Sequence, residues 1–134
     1  MCGRAAAAAR AGHSAATGEP GEAAVFSFLA RKPELSHEEF ERRWCGRHAD
    51  IAAAAIKSLG TMTRYIHNRP VHDPLPLFPF DGIAEAWFAS IVDAELAFGG
   101  TALDPLRCDL AEFCDLGAST ILLTSTCHRW PKSR

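Results

Sequence analysis

The sequence contains no apolar run that approaches the roughly 18 to 20 residues needed for a membrane-spanning helix. It lacks a strong excess of either charge, because its formal net charge is −2, and this argues against nucleic acid or an anionic membrane as partner. Its five cysteines are odd in number and include no Cys-x-x-Cys pair. Neither a disulfide framework nor a zinc ribbon is therefore indicated, and we expect reduced thiols in a cytoplasmic protein.

The composition is that of an ordinary globular protein. The chain has 134 residues, of which 48% are apolar and 22% are charged, and this length suggests one domain. Residues 1–22 are rich in Ala and Gly and contain no acid before Glu19. We interpret residues 1–22 as a disordered or targeting tail and residues 23–130 as the folded domain.

The first half of the domain begins with a clear strand and helix. Residues 24–30 (AVFSFLA) form a short apolar run that predicts a buried strand. Ser36 and Glu39 form a capping box, because each side chain can bond the amide of the other residue. A helix is predicted from there to about Lys57, and Gly60 ends it.

The second half adds three strands and two shorter helices. Strands are predicted over 61–69, 83–90 and 117–127, and helices over 91–98 and 103–113. The order is β-α-β-β-α-β, the ferredoxin-like arrangement, which is an α+β fold with an antiparallel four-stranded sheet. The helices cover one face of the sheet, and a second copy of the chain is the economical cover for the other face.

His48 is the first candidate for chemistry. At 100° per residue it shares the apolar stripe of the long helix, together with Phe40, Trp44, Ile51 and Ala55. An imidazole there can act as an acid or base at neutral pH. The alternative is a core histidine that bonds a neighbouring carbonyl.

Glu85 is the second candidate. It shares a strand face with Ile83 and Trp87. In an apolar pocket its pKa would be raised and it would transfer protons. A salt bridge to an arginine such as Arg64 is the alternative.

Tyr65 and His67 share one face of the second strand, where a phenol and an imidazole can polarise a carbonyl. The alternative is a solvated or helix-packed face. A metal site is not expected, because no acid or cysteine completes the pair His67 and His72. For Cys45 the sequence favours a small buried apolar group over a nucleophile.

Residues 71–80 predict a proline-rich loop with large apolar side chains, which is typical of a segment that covers a pocket mouth or a partner. Six residues are expected to bind the apolar substrate: Phe28, Trp44, Phe78, Phe80, Ile83 and Trp87.

Several short motifs over residues 24–128 resemble the EthD family of the dimeric α+β barrel superfamily. They are Arg31-Lys32-Pro33, Leu35-Ser36, Glu39-Phe40, Trp44-x-x-x-His48, Tyr65-x-x-Asn68, Asp81-Gly82, Glu85, Trp87-Phe88, Phe113 and Asp115. The resemblance implies a homodimer whose two sheets form one barrel, with a cavity in each subunit. It also implies relatives that include polyketide cyclases, dehydratases, decarboxylases and cofactor-free monooxygenases.

The residues and the resemblance together predict an enzyme that needs no cofactor and acts on a small apolar carbonyl or aromatic polyketide-like substrate. Acid/base catalysis by His48, helped by Glu85, Tyr65 or His67, would drive cyclisation, dehydration or decarboxylation. The alternatives are a cofactor-free monooxygenase and a non-catalytic carrier or accessory protein of a degradation cluster.

Overall fold

A computed structural model describes residues 22–71 and 78–131. The expectations for the tail before residue 22, for Pro74 and Pro76 of the apolar loop, and for His72 lie outside the described residues.

Four antiparallel strands form one sheet, as the sequence predicts. They are β1 (Ala23–Leu29), β2 (Met62–Asn68), β3 (Gly82–Phe88) and β4 (Thr120–Ser125). The spatial order is β2-β3-β1-β4, with every neighbouring pair antiparallel. The two central strands are β1 and β3, which carry most of the small and buried residues of the sheet.

The predicted long helix is divided by a kink. Its segments are α1 (His37–Arg43), a π-helical turn (Trp44–His48) and α2 (Ala49–Leu59). The capping box is present, since Ser36 Oγ accepts from the Glu39 amide at 3.1 Å and Glu39 accepts from the Ser36 amide at 2.8 Å. The kink lies at Gly46, whose φ of −99° and ψ of −106° are not helical. One continuous helix to Lys57 was therefore a wrong prediction, and glycine is a common cause of such kinks.

The remaining helices are α3 (Ile91–Gly99) and α4 (Asp104–Phe113). Ser90 caps α3 by accepting from the Asp93 amide. α4 begins with a proline in its first turn, where the missing amide proton costs nothing. Both helices follow the predicted positions within one or two residues.

All helices lie on the same side of the sheet, which we call the covered side. Two clusters of buried apolar side chains fill the space between them, one around Phe88 and Leu103 and the other around Phe40, Trp44 and Phe113. The opposite side of the sheet, which we call the open side, carries the alternate residues of each strand.

The cysteines differ from the expectation at two positions. Cys45 is exposed and not buried. Cys108 is disulfide-bonded, so the prediction of reduced thiols throughout the chain is wrong. Cys114 is a buried free thiol in the second cluster. Within the described ranges, no helix is both long and apolar enough to cross a membrane.

Candidate active site

A cavity of about 70 Å³ lies on the covered side, between the two apolar clusters. Residues of the four strands form one wall, and larger residues of the π-helical turn, α3, α4 and the segments that flank α4 form the other. The lining residues are Val25, Ser27, Leu29, His48, Met62, Tyr65, Ala84, Ala86, Phe98, Leu103, Leu106, Arg107, Leu110, Leu116 and Ile121. The wall is apolar except for four side chains, so a polar atom of a bound molecule has few partners there.

His48 reaches this cavity from the end of the π-helical turn and is completely buried. Its Nδ1 is 2.8 Å from Oδ2 of Asp109 on α4. The other carboxylate oxygen of Asp109 accepts from Nη2 of Arg43 at 2.8 Å. Nε2 of His48 is buried and has no hydrogen-bond partner in the described part of the chain. The result is a connected chain, Arg43–Asp109–His48, that ends at the cavity wall.

This chain determines where the proton of His48 lies. Burial opposes ionisation of Asp109, but hydrogen bonds from Arg43 and His48 hold the pKa of Asp109 below its ordinary value. An ionised carboxylate only accepts hydrogen bonds, so Nδ1 of His48 carries the proton. Burial lowers the pKa of His48, against the opposing effect of Asp109, so the imidazole is neutral at pH 7. Nε2 therefore holds a free lone pair, as a general base requires.

Asp109 and Arg43 are candidate site residues that the sequence analysis missed. A signal was present, because Asp109 lies three residues after Leu106 and four before Phe113, on the apolar stripe of α4. An acid on a buried helix face requires a partner. In the predicted long helix, His48 is the base that lies on the apolar stripe, so it is the natural partner of Asp109.

Tyr65 and His67 lie together on the covered side of β2, where the sequence placed them on one face. The Tyr65 hydroxyl is 3.0 Å from Nε2 of His67. The His67 ring stacks on Trp44 with centroids 4.2 Å apart and lies 6.1 Å from the His48 ring. Burial, with a smaller effect of His48, lowers the pKa of His67 to about 4, and burial raises that of Tyr65. Both groups are thus neutral at pH 7. The stacking of His67 on Trp44 agrees with the helix-packed alternative and not with the solvated one.

Tyr65 also lines a second and more open depression of about 460 Å³ beside α2. His67, Ala49, Ala53, Ile56 and Lys57 form the rest of its wall. Tyr65 therefore separates this groove from the smaller cavity.

Glu85 lies on the open side of the sheet, away from His48. Its register neighbours are Phe26 and Ile66, and its carboxylate accepts from Asn68 and from Nε1 of Trp87. The alternative of a salt bridge from Glu85 to Arg64 does not form, and the Arg64 guanidinium lies over the Trp87 ring, 4.7 Å from its centroid. The expectation that His48 and Glu85 face one cavity is wrong, since alternation along β3 places Ala84 and Ala86 on the covered side and Glu85 opposite.

None of the six apolar residues expected at the substrate lines the cavity beside His48. Alternation places Phe28, Ile83 and Trp87 on the open side, and Phe80 packs on Phe28 with Phe78 next to it. Trp44 is buried on the covered side, behind His67.

Asp81 has a different role from the site residues. It accepts from the Arg31 amide at 2.9 Å and lies 2.7 Å from Nδ1 of His37. These contacts join the end of β1, the start of β3 and the first turn of α1.

Over residues 22–71 and 78–131, no group of three or more His, Cys, Asp and Glu side chains is arranged to hold a metal ion. The pair His67 and His72 includes a residue outside these ranges.

Comparison with known proteins identifies the family. The EthD domain matches residues 32–117, more than half of the chain, so the chain belongs to the EthD family. None of the curated proteins compared with the sequence matches it significantly.

Several solved structures share the fold. A dimeric ferredoxin-like protein of unknown function from Bacteroides fragilis has a TM-score of 0.63 and 8% identity, over 79% of this chain and 97% of its own. The hydroxynitrile lyase of Passiflora edulis has a TM-score of 0.64 and 13% identity, over 84% of this chain and 100% of its own. SnoaB, a cofactor-independent oxygenase from Streptomyces nogalater, has a TM-score of 0.59 and 15% identity, over 84% of this chain and 99% of its own. At these identities the likeness establishes the ferredoxin-like α+β fold and not an activity.

Proposed function

We propose that this EthD-family protein is an enzyme that needs no cofactor and moves a proton on a small apolar carbonyl compound, with His48 as the base. The observation that carries the proposal is the buried Asp109–His48 pair, held from the half-buried Arg43, which leaves Nε2 of His48 unpaired at the cavity wall. A buried polar atom without a partner is costly, which supports a bound molecule as its natural partner.

The proposed step begins with Nε2 of His48. It removes a proton from a carbon or hydroxyl next to the substrate carbonyl, and the imidazole becomes an imidazolium. Asp109, 2.8 Å from Nδ1, stabilises the new positive charge at short range, and Arg43 keeps the carboxylate ionised and in place. This division of labour between base and carboxylate is the one known from other His–Asp pairs.

Tyr65 is the proposed proton donor of the same site. Its hydroxyl lies at the cavity wall and is held by His67, whose ring is fixed against Trp44. A neutral phenol can donate to an oxygen on which negative charge develops. In this scheme His67 positions Tyr65, and Glu85 takes no part in the proton transfer.

Two of the similar structures bear on the type of reaction, and the first of them supports a lyase. One of them is a hydroxynitrile lyase and another is a cofactor-independent oxygenase. The reaction that we propose for a substrate bound in this cavity is a cyclisation, a dehydration or a decarboxylation. The cytoplasmic location inferred from the sequence stays a prediction.

We also propose that the open side of the sheet pairs with a second copy of the chain. Large apolar side chains project there, among them Phe26, Trp87 and Leu122, and Leu122 is 52% exposed. The Bacteroides fragilis protein of the same fold is described as dimeric. Phe26→Lys would place a charge within this surface, and we expect sedimentation to show a shift from dimer to monomer.

The experiment that tests the enzyme proposal is solvent exchange. The protein is incubated in D₂O with butanone or 2-methylpropanal, and deuterium next to the carbonyl is measured by mass spectrometry. Acetone cyanohydrin is included in parallel, and its cleavage is followed by released cyanide. We expect His48→Gln to lower the rate of exchange or of cyanide release, whichever the wild type shows, by roughly 10²- to 10⁴-fold. His128 is exposed, and His128→Gln should leave that rate unchanged.

The rival functions give different results in the same samples. Oxygen uptake with an electron-rich phenol would indicate the monooxygenase. Ligand binding without exchange, cleavage or oxygen uptake would indicate the carrier. A His48→Gln variant that keeps the full wild-type rate would overturn the proposal directly.

A further inference from the structure

The cavity wall carries four polar side chains, and three of them are already engaged. Arg107 donates to the carbonyl oxygens of Phe98 and Gly100 and to Asp104. Tyr65 is paired with His67, and His48 offers an acceptor at Nε2. The fourth is Ser27, whose hydroxyl has no hydrogen-bond partner among residues 22–71 and 78–131.

Ser27 is the uncommitted donor of the cavity. A serine hydroxyl carries one proton and rotates freely, so it can be directed to an oxygen of a bound molecule. His48 offers only an acceptor at Nε2. The protons of Tyr65 and Arg107 are already shared with other groups of the protein. A ligand oxygen can therefore accept from Ser27 without breaking a hydrogen bond of the protein, whereas the Tyr65 hydroxyl, paired with His67, donates only in the proposed reaction step.

The sheet register explains the position of Ser27. His67, Ala84, Ser27 and Ile121 form one row across the sheet, each on a neighbouring strand. Strands are about 4.8 Å apart, so Ser27 lies about 10 Å from His67 along this row. Ala84 lies between them and Ala86 lies in the next row, so two methyl groups form the floor. Any larger residue on β3 would fill the space that Ser27 faces.

The size of the cavity limits the ligand. An apolar cavity of about 150 Å³ holds benzene, which corresponds to roughly 25 Å³ for each non-hydrogen atom. The 70 Å³ observed here then holds about three such atoms. A multi-ring polyketide does not fit this space. A longer ligand would extend past Leu116 and Ile121, which line the cavity and are 45% and 51% exposed.

We propose that Ser27 is the ligand-binding hydroxyl of this cavity, and that the ligand is a small, uncharged aldehyde or ketone whose oxygen accepts from Ser27 while its apolar part lies on Ala84 and Ala86. The choice of a carbonyl rests on the proposed function of His48, whereas binding at Ser27 does not depend on turnover. A carbonyl oxygen that accepts a hydrogen bond from Ser27 should favour the carbonyl compound over a hydrocarbon of the same shape by about one neutral hydrogen bond, roughly 3- to 10-fold in affinity.

The test compares two probes of nearly equal shape, butanone and 2-methyl-1-butene. Each has five non-hydrogen atoms, so part of each probe extends past the 70 Å³ cavity towards Leu116 and Ile121. Each is titrated into the full chain, and binding is followed by amide shifts of Ser27, Ala84 and Ala86 in NMR spectra. In the wild type we expect both probes to shift these amides, with butanone binding more tightly. Ser27→Ala should lower the affinity for butanone by about 3- to 10-fold and leave the affinity for the alkene unchanged. Ser58→Ala, an exposed serine of α2, is the matched control.

Two further variants keep the outcomes distinct. Ala84→Leu fills the floor and should abolish binding of both probes while the chain stays folded. His48→Gln should keep the butanone shifts although it stops exchange, so failure of the enzyme proposal would leave Ser27 binding intact. Equal affinity of butanone for the wild type and Ser27→Ala would overturn the assignment, as would shifts that lie only in the groove beside α2.

Discussion

The two sides of the sheet are built from the same strands but differ in how their polar groups are paired. On the covered side, the buried His48 and Asp109 are connected to the half-buried Arg43, and Tyr65 is paired with His67. On the open side, the Glu85 carboxylate is paired with residues of the sheet itself, and apolar side chains such as Leu122 remain exposed. The covered side therefore has the shielding that proton transfer needs, and the open side has a surface that needs a cover.

This difference teaches where to look for chemistry in a ferredoxin-like fold. An ionisable residue that shares a strand with buried residues is not thereby buried, because the strand has two faces. Glu85 alternates with Ala84 and Ala86 on β3, yet only the alanines line the cavity. The helices, and not the sheet, bring the base and its carboxylate together.

The largest expected effect comes from Asp109→Asn, which would remove the carboxylate that pairs with His48 on the covered side. The amide keeps the size of the carboxylate but cannot stabilise the imidazolium of His48. We expect turnover to fall by roughly 10²- to 10⁴-fold while the variant stays folded. Rates from the exchange assay and circular dichroism check this together. Wild-type turnover in this variant would contradict the role given to Asp109.

The second expected effect concerns packing on the covered side. A Cβ added at Gly82 would lie 2.4 Å from Cζ3 of Trp44, whose ring is completely buried. Gly82→Ala should lower the free energy of unfolding by about 1–3 kcal/mol. Urea denaturation measures the change. Gly99→Ala is the control, since a Cβ there meets nothing within 4 Å, and a similar loss in both variants would refute this explanation.

The third expected effect is a pH dependence of stability on the covered side. Burial, followed by the effect of His48, lowers the pKa of His67 to about 4 in the folded chain, against about 6.5 when unfolded. Between these values the unfolded state binds more protons, so stability is complete above about pH 6.5 and falls towards pH 4.

His67 is partly exposed, so solvent screening reduces its effect. We expect it to lower the free energy of unfolding by about 1–2 kcal/mol between pH 6.5 and pH 4. His67→Gln should reduce this slope in urea denaturation at several pH values. A slope unchanged by the substitution would show that other groups cause the dependence.

The smallest expected effect sharpens the comparison from the open side. Glu85→Gln keeps the shape of a side chain that lies away from His48, so turnover should change by no more than about twofold. The exchange assay used for His48→Gln measures it. A loss of turnover comparable to that of Asp109→Asn would show that Glu85 takes part in proton transfer. It would contradict the claim that only the covered side carries the chemistry.

Much of the local structure could be predicted, because it depends on neighbours in the chain. The capping box at Ser36 forms as expected, and Gly60 ends α2 in the left-handed conformation with φ of 77°. The kink at Gly46 could not be predicted with the same rules, since a single glycine inside an apolar helical pattern is often tolerated. Gly46 lies between Trp44 and His48, which are both completely buried, and burial is a property of the tertiary structure.

The sequence by itself determined the order of elements, the two faces of each strand, the buried position of His48 and the pairing of Tyr65 with His67 on one face. These follow from side-chain periodicity, which is a local property of helices and strands. Only the tertiary structure decided which face of the sheet the helices cover, and hence that Asp109 meets His48 while Glu85 does not. Residues 48 and 109 are 61 positions apart, and no local preference specifies a contact over that separation, because it arises from the packing of α4 against the π-helical turn.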